Sequence, residues 1–595
     1  MELITTGDLL KSNKYLRIFG GEVMARAIFR VLCLDRINEY YSKSYHLSGP
    51  EFLDRIIEML GITMNVSRED LEKIPDKGNF ITVSNHAYGG IDGILLAKIL
   101  SDVRPDYKLL VNFLLTKIRP MKPYFLGVNP FESFRDLRSS YGGLKEAYRH
   151  LQEGHPLGLF PAGEVSSYKL KQGAVADREW QYSILKFIKK AKLPVVPVYF
   201  HGHNSVLFNL LGFIHPMLRT VRLPAEFLNK QGREIRIRIG SPVSLREQDE
   251  FTEIGEFGKM LRMKTYSLAR MPEPPVKLSR IIVSHPAHIV EETPEALIRQ
   301  EIDDLMAGHL LFSLQGHHVF CAPSQKIPNI LREIGRLREI TYREVGEGTA
   351  KPIDIDPYDE YFEQLFIWDS QPGKIVGGYR VGKGEDIFNK YGIAGHYINS
   401  LFKIDRKFEP VLRVSMELGR SFIVKEYQKK PLSLFLLWKG ILYLLLKAPK
   451  YRYLIGPVSI SSEFSGIART LVVKYLATDC YNSEYGALIK PRSPFRRSRC
   501  RHIDPALFLR YVKKDISRLD RFIQDMDHGL KIPVLLKKYL SVNSEVIGFN
   551  IDRKFNNCLD ALIILDLFDV PLKTIESLSK EFNDPSIAER FRKET

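Results

Sequence analysis

Apolar positions along the chain follow two rhythms, one of helical period and one of short β-rich runs. Up to about residue 268 helical stretches alternate with NFITVSN (79–85), PLGLFPA (156–162), LPVVPVYFHG (193–202) and REIRIRIG (233–240). Strands separated by helices predict an α/β domain. The pattern then breaks at ARMPEPPVKLSR (269–280), where Pro272, Pro274 and Pro275 forbid helix and favour an extended linker. Beyond it, helical patterns mix with GKIVGGYRVG (373–382), RSFIVKEY (420–427) and YLIGPVSI (453–460). The tail segments KIPVLLKKYL (531–540), VIGFNI (546–551) and LDALIILDLF (559–568) are expected to complete a second sheet. The expected organisation is a first domain over 1–268, a linker over 269–280 and a second α/β domain over 281–595. One apolar stretch, PLSLFLLWKGILYLLLKA (431–448), is interrupted by Lys439 and predicts a buried or interfacial helix rather than a membrane span.

Composition narrows the class. At 595 residues the chain exceeds one hydrophobic core, and 44% hydrophobic with 11% aromatic residues excludes a disordered chain. Lysine and arginine number 87 against 70 acids, a net +17 that favours anionic partners: lipid head groups, nucleic acid or an acidic protein. The basic run KPRSPFRRSRCRH (490–502) adds to that charge and suits an anionic membrane surface. Five scattered cysteines without CxxC spacing suggest neither a disulfide framework nor a metal site, so no bound metal or cofactor is expected. The opening MELITTGDLLKSNKY does not read as a secretory signal, which predicts a cytoplasmic protein.

The most legible chemistry is NHAYGGIDG (85–93). A β-rich run ends at Asn85, and His86 follows at a glycine-rich turn with Asp92 six positions on. An imidazole oriented by a carboxylate is the base that hydroxyl attack on a thioester requires. Taken alone, the same residues also suit a turn and a helix N-cap.

Three further blocks decide between these readings. NHAYGGIDG resembles the His-and-Asp motif of the glycerolipid acyltransferase family, which includes lysophospholipid acyltransferases. YFLGVNPFES (124–133), GLFPAGEVSS (158–167) and LPVVPVYFHG (193–202) resemble its later blocks in the same order. The resemblance covers about residues 20–265 and implies catalysis by His86 and Asp92. It also implies substrate contacts from Asn85, Gly89, Gly90, Phe160, Pro161, Gly163 and Glu164. Five residues separate His86 from Asp92 where the family has four, an extra residue that Gly89 and Gly90 accommodate. No arginine follows Gly163, which predicts an acceptor lacking a glycerol phosphate head.

In the second half, LREITYREVGEGT (337–349), YDEYFEQLFIWD (358–369), KIVGGYRVG (374–382), MELGRSFIVKEYQ (416–428) and PLSLFLLWKGI (431–441) resemble a different group. It is the hemolysin-like N-acyltransferase branch of the acetyltransferase superfamily, related to acyl-homoserine-lactone synthases. The resemblance runs from about 280 to 570 and nominates Glu417 and Arg420 for catalysis, with Arg343, Asp369 and Arg380 for substrate binding. Each also suits a plain ion pair.

Together the two resemblances imply a fused aminolipid synthase, similar to ornithine-lipid synthases, attached peripherally to the inner face of the membrane. The second half would acylate the amine of ornithine or glycine, and the first half would esterify the hydroxyl of the resulting lysolipid. The acyl donor would be acyl carrier protein, whose acidity suits the positive charge, or coenzyme A; nucleic acid is not the expected partner. The alternatives are a lysophospholipid acyltransferase with a non-catalytic second half and a hemolysin-like membrane-binding protein.

Overall fold

The computed structural model describes residues 3, 5, 21–128, 137–170, 173–270, 287–500, 503–581 and 584–592. The proline-rich linker from 271, residues 129–133 of YFLGVNPFES, and Arg501 and His502 of the basic run lie outside the described residues. The chain forms two units: Met1–Met271 with Cys500–Tyr511 and Gln524–Gly529, and Pro272–Arg499 with Val512–Ile523 and Leu530–Thr595. Residues 500–511 and 524–529, read from sequence as part of the second domain, therefore cluster with the first unit.

The first unit is built on a seven-stranded sheet. Its strands are β1 (Thr63–Asn65), β2 (Ile81–Ser84), β3 (Lys108–Asn112), β4 (Phe125–Val128), β5 (Leu157–Leu159), β6 (Val195–Phe200) and β7 (Glu234–Ile239), in the order β1-β7-β6-β2-β5-β3-β4. Only β6 and β7 run antiparallel. All four residues of β2 are buried, as expected of a parallel strand covered on both faces. Phe80, Leu95, Leu96, Tyr107, Phe200 and Ile237 are part of the core around it. The C-terminal end of β2 opens directly into the His86 loop, the usual place for a ligand site in such sheets.

The second unit holds an eight-stranded mixed sheet. Its strands are β8 (Leu310–Leu314), β9 (His317–Pro323), β10 (Glu363–Asp369), β11 (Lys374–Lys383), β12 (Ser415–Ile423), β13 (Tyr453–Ile460), β14 (Glu545–Asp552) and β15 (Cys558–Asp566), in the order β8-β9-β10-β11-β12-β13-β15-β14. β12 and β13 are its one parallel pair, and they match only over Ser415–Glu417 with Tyr453–Ile455. The ladder between them ends there, although Gly456 still lies close against the Leu418 backbone. The apolar stretch at 431 forms the helix Pro431–Lys447, which buries Leu436, Leu437, Trp438, Ile441 and Leu445 and is a core helix of this unit.

The tail departs from expectation in one place. KIPVLLKKYL contributes the helix Val534–Ser541, not a strand. Pro533 stands at its N-cap, and the buried Leu536 and Tyr539 are three apart, a helical spacing.

Candidate functional sites

In the first unit the Asn85 side chain fixes where the strand ends. Its Nδ2 donates to the Phe200 carbonyl at 3.0 Å, and its Oδ1 accepts from the Phe200 amide at 2.7 Å. Asn85 is thus a clamp between β2 and β6, and His86 is the first residue free to enter the loop. The turn passes through Gly89 at φ +103°, a conformation that disfavours a side chain, and the helix Gly90–Val103 begins.

Asp92, in the first turn of that helix, reaches back into the loop. Its Oδ2 accepts from the Tyr88 amide at 2.8 Å, the Gly89 amide at 3.0 Å and His86 Nδ1 at 2.9 Å. Capping and dyad are therefore one arrangement: the amides hold the carboxylate, and the carboxylate holds the imidazole. Five intervening residues close the pair without difficulty. Because the carboxylate accepts, the proton sits on Nδ1 and Nε2 is left as the basic atom. Asp92 is fully buried, whereas the His86 side chain keeps 19% exposure.

The third block folds against this dyad. The Ser166 amide donates to the His86 carbonyl at 2.7 Å, and the Phe160 ring stacks on the imidazole at 4.3 Å between centroids. Pro161 accepts from the Gln181 amide at 2.9 Å, and Gly163 has φ +67°, where a side chain would be strained and would have to displace the end of the Gln181 side chain. Sequence reasoning missed Asp177. It accepts from the His86 amide at 3.2 Å, from Ser166 Oγ at 2.5 Å and from Trp180 Nε1 at 3.2 Å, while burial pushes its carboxyl pKa up.

Glu164 has cationic partners that its own block does not supply. No arginine follows Gly163 in the chain, yet Arg219 stands 3.3 Å and Arg178 3.9 Å from the Glu164 carboxylate. Guanidiniums therefore stand beside Glu164, supplied from 14 and 55 positions on, and its carboxylate engages both.

In the second unit, Glu417 and Arg420 lie within β12 rather than ahead of a strand. Three residues apart on a regular strand, they would face opposite sides. The register shifts opposite Gly378 and Arg380, and Arg420 has φ +54°. This bulge turns Arg420 onto the face shared by Glu417 and Arg380. There Arg380 meets Asp356 at 2.6 Å and Asp359 at 3.2 Å, Arg420 meets Asp354 at 3.0 Å and Asp356 at 3.3 Å, and Arg338 meets Asp359 at 2.9 Å.

On the same face Glu417 Oε2 is 2.9 Å from His396 Nδ1, and Glu417 Oε1 accepts from the Ile398 amide at 2.8 Å. His396 is fully buried and its Nε2 has no hydrogen-bond partner. A second histidine–carboxylate dyad is thus present, and sequence reasoning had found only its carboxylate.

The other two nominated residues stand elsewhere. Asp369 ends β10, where it accepts from Tyr427 Oη at 2.7 Å and lies 3.5 Å from His317, at the far end of the hairpin from Arg380. Arg343 pairs with Glu339 at 2.8 Å and donates to the carbonyls of Ala287 and Lys351, bracing the chain around helix Pro328–Glu344.

Comparison with known proteins matches each site to a family. Residues 11–272 match an acyltransferase family model, and residues 337–439 match a model of the acetyltransferase (GNAT) domain. The chain joins an acyltransferase domain to a GNAT domain.

His86, Asp92, Phe160 and Glu164 fall within the acyltransferase match. Arg338, Arg380, His396, Glu417 and Arg420 fall within the GNAT match. A glycine N(alpha)-acyltransferase of Phocaeicola vulgatus is 29% identical over 315 residues, covering 49% of this chain and 94% of that protein. A lyso-glycine lipid O-acyltransferase of Bacteroides thetaiotaomicron is 25% identical over 265 residues, covering 43% of this chain and 93% of that protein. The 1-acyl-sn-glycerophosphate acyltransferase structure from Thermotoga maritima aligns with 36% of this chain and 75% of its own at 19% identity and a TM-score of 0.22, too low to carry an argument.

Proposed function

We propose that this acyltransferase makes a two-chain aminolipid in two steps, with glycine the first candidate acceptor and ornithine the second. The GNAT domain acts first. The amine nitrogen bonds to the carbonyl carbon of a hydroxyacyl thioester, the carbon–sulfur bond breaks, and the thiol leaves with the proton taken from nitrogen. Glu417 holds His396, whose Nε2 takes that proton. In the acyltransferase domain His86 Nε2 then takes the proton from the hydroxyl of the N-acylated product as it attacks a second thioester. The donor to both is acyl carrier protein or coenzyme A, and the net +17 favours the acidic carrier.

The observation that carries this reading is that the acyltransferase match holds the His86–Asp92 dyad and the GNAT match the His396–Glu417 dyad, in a chain whose relatives are named for N- and O-acyl transfer to glycine and its lysolipid. The test is mass spectrometry of the full-length chain supplied with isotopically labelled glycine or ornithine and the two thioesters. Glu417→Gln is expected to form no N-acyl product while still esterifying a supplied N-hydroxyacyl glycine. N-acylation at the wild-type rate by that variant would overturn the assignment.

Among the described residues no helix is long and apolar enough to cross a membrane. Attachment to the inner leaflet is proposed instead through the helices Val206–Ile214 and Pro216–Leu228. They expose Leu207, Leu210, Phe213, Ile214, Met217 and Val221, with Ile214 75% accessible. Such a run of exposed apolar residues is what an interfacial helix buries in lipid. The second helix also carries Arg219 to Glu164 and sets Leu223 beside Gly89, so the patch adjoins the His86 site. Phe213→Asp combined with Ile214→Asp is expected to weaken sedimentation with phosphatidylglycerol vesicles by about tenfold or more. Undiminished sedimentation would place the contact elsewhere.

A further inference from the structure

The charges on the GNAT-domain face do not balance. Asp354, Asp356 and Asp359 are answered by Arg338, Arg380 and Arg420, and Glu417 is answered by His396. Three more buried carboxyls lie on or against β13, β14 and β15. Glu347 accepts from Ser459 Oγ at 2.7 Å, Asp560 lies directly across the ladder from Ser459, and Asp552 accepts from Tyr397 Oη at 3.4 Å. Among the described residues no lysine, arginine or histidine forms an ion pair with any of them. A buried carboxylate without a counter-charge is disfavoured, so three in one place suit a cationic ligand. Burial together with the neighbouring carboxyls pushes the Asp560 pKa well up, and burial raises that of Glu347.

Two unsatisfied side chains mark the spot more closely. Asp560 is 4% exposed, yet its Oδ2 has no hydrogen-bond partner. Arg380, equally enclosed, leaves both Nε and one terminal nitrogen without a partner, and its guanidinium carbon stands 5.1 Å from the Tyr397 ring. Tyr397 links the two: Arg380 lies against its ring, and Asp560 is near enough to act electrostatically on its hydroxyl, which also accepts from Arg420 at 3.3 Å. A guanidinium with an open edge and a carboxylate with an open oxygen, gathered about one tyrosine, are complementary to a zwitterion. Arg420 and Asp356, at 12% and 19% side-chain exposure, form the rim through which it would enter.

We infer that the acceptor amino acid binds at Tyr397, with its ammonium against Asp560 and Asp552 and its carboxylate against the open edge of Arg380. The inference rests on reading the GNAT domain as an N-acyltransferase and adds where and by which charges the acceptor is held. Glu347 supplies the third carboxyl, which suits a second ammonium when the acceptor is a diamino acid.

The test uses the full-length chain and two isosteric variants, Asp560→Asn and Asp552→Asn. Each is expected to raise KM for glycine by about tenfold, the effect of losing a charge-assisted hydrogen bond. KM for the thioester and the esterification of a supplied lysolipid should stay unchanged. Because Asp560→Asn removes an unanswered charge, it should melt no lower than the wild type, which separates lost binding from lost structure. Calorimetry with methylammonium, which keeps only the cation, should show binding to the wild type and not to Asp560→Asn. A KM within twofold of wild type in both variants, or equal methylammonium binding, overturns the site. If the wild type N-acylates neither glycine nor ornithine, the reading of the domain fails, and the methylammonium titration still decides the site.

Discussion

Replacing His86 with alanine is expected to slow esterification of a supplied N-hydroxyacyl glycine by about a thousandfold, the scale on which a positioned general base contributes. Little of that loss should come from unfolding. The imidazole is partly exposed and packs on one ring, Phe160, while the backbone bonds that shape the loop run from Tyr88, Gly89 and Ser166 and survive the change. Asp92→Asn should differ in kind. All three donors converge on Oδ2 and Oδ1 has no partner, so an asparagine oxygen can take that place, but the three bonds lose their charge assistance and a developing imidazolium loses its counter-charge, so rate and helix start both suffer. Rates on supplied lysolipid, together with melting curves, separate the two: His86→Ala keeps the wild-type midpoint, whereas Asp92→Asn lowers it. Retention of more than a tenth of the wild-type rate by His86→Ala would remove the dyad from catalysis. In neither variant should N-acylation of the amine change.

The first site was legible because its parts are local. β2, the glycine turn and the helix start fall within one run of residues, and the chemistry needs only Asp92 to reach back to His86. What sequence reading missed arrives from a distance. Arg178 and Arg219 reach Glu164 from beyond the third block, and nothing in GLFPAGEVSS announces them. Asp177 likewise meets the His86 amide from 91 residues away.

The second site was half legible for a related reason. Glu417 and Arg420 stood out as acids and bases around a glycine, but alternation on a strand would have parted them, and only the bulge at Arg420 brings them to one face. His396 has no motif of its own, because the turn at Gly392–Gly395 sets it beside Glu417. Asp369 and Arg343 looked equivalent to these residues from composition alone. Register places Asp369 opposite Lys374 and Arg380 opposite Gln364, at the two ends of one hairpin.

Asp359→Asn should have the largest effect on stability, a loss of about 3–5 kcal/mol from the GNAT domain, the usual consequence of removing one partner from a buried ion pair. The carboxylate lies between Arg338 at 2.9 Å and Arg380 at 3.2 Å, and Gln364 Nε2 donates to it at 3.1 Å. Burial alone would raise its pKa, but Arg338 and Arg380 outweigh burial and hold the carboxyl well below the usual range. The sign of the pH dependence follows. A carboxyl whose folded pKa is depressed contributes fully above its unfolded value of about 4, and the contribution is lost as pH falls through the folded value. The stability gap between wild type and variant should therefore be flat through neutral pH and narrow only in acid. Of the three tryptophans, Trp368 and Trp438 belong to the GNAT unit and Trp180 to the other, so fluorescence from single-tryptophan backgrounds follows each unit through urea unfolding. Arg338 would be left fully buried with only the Gln364 oxygen at 2.7 Å, a neutral acceptor in place of a charge. Asp560→Asn supplies the opposite case within the same domain: it removes a buried carboxyl that forms no ion pair and has like charges beside it, so its urea midpoint should rise or hold. If both variants fell equally, the network would be acting as packing volume, and the distinction between answered and unanswered charge would fail.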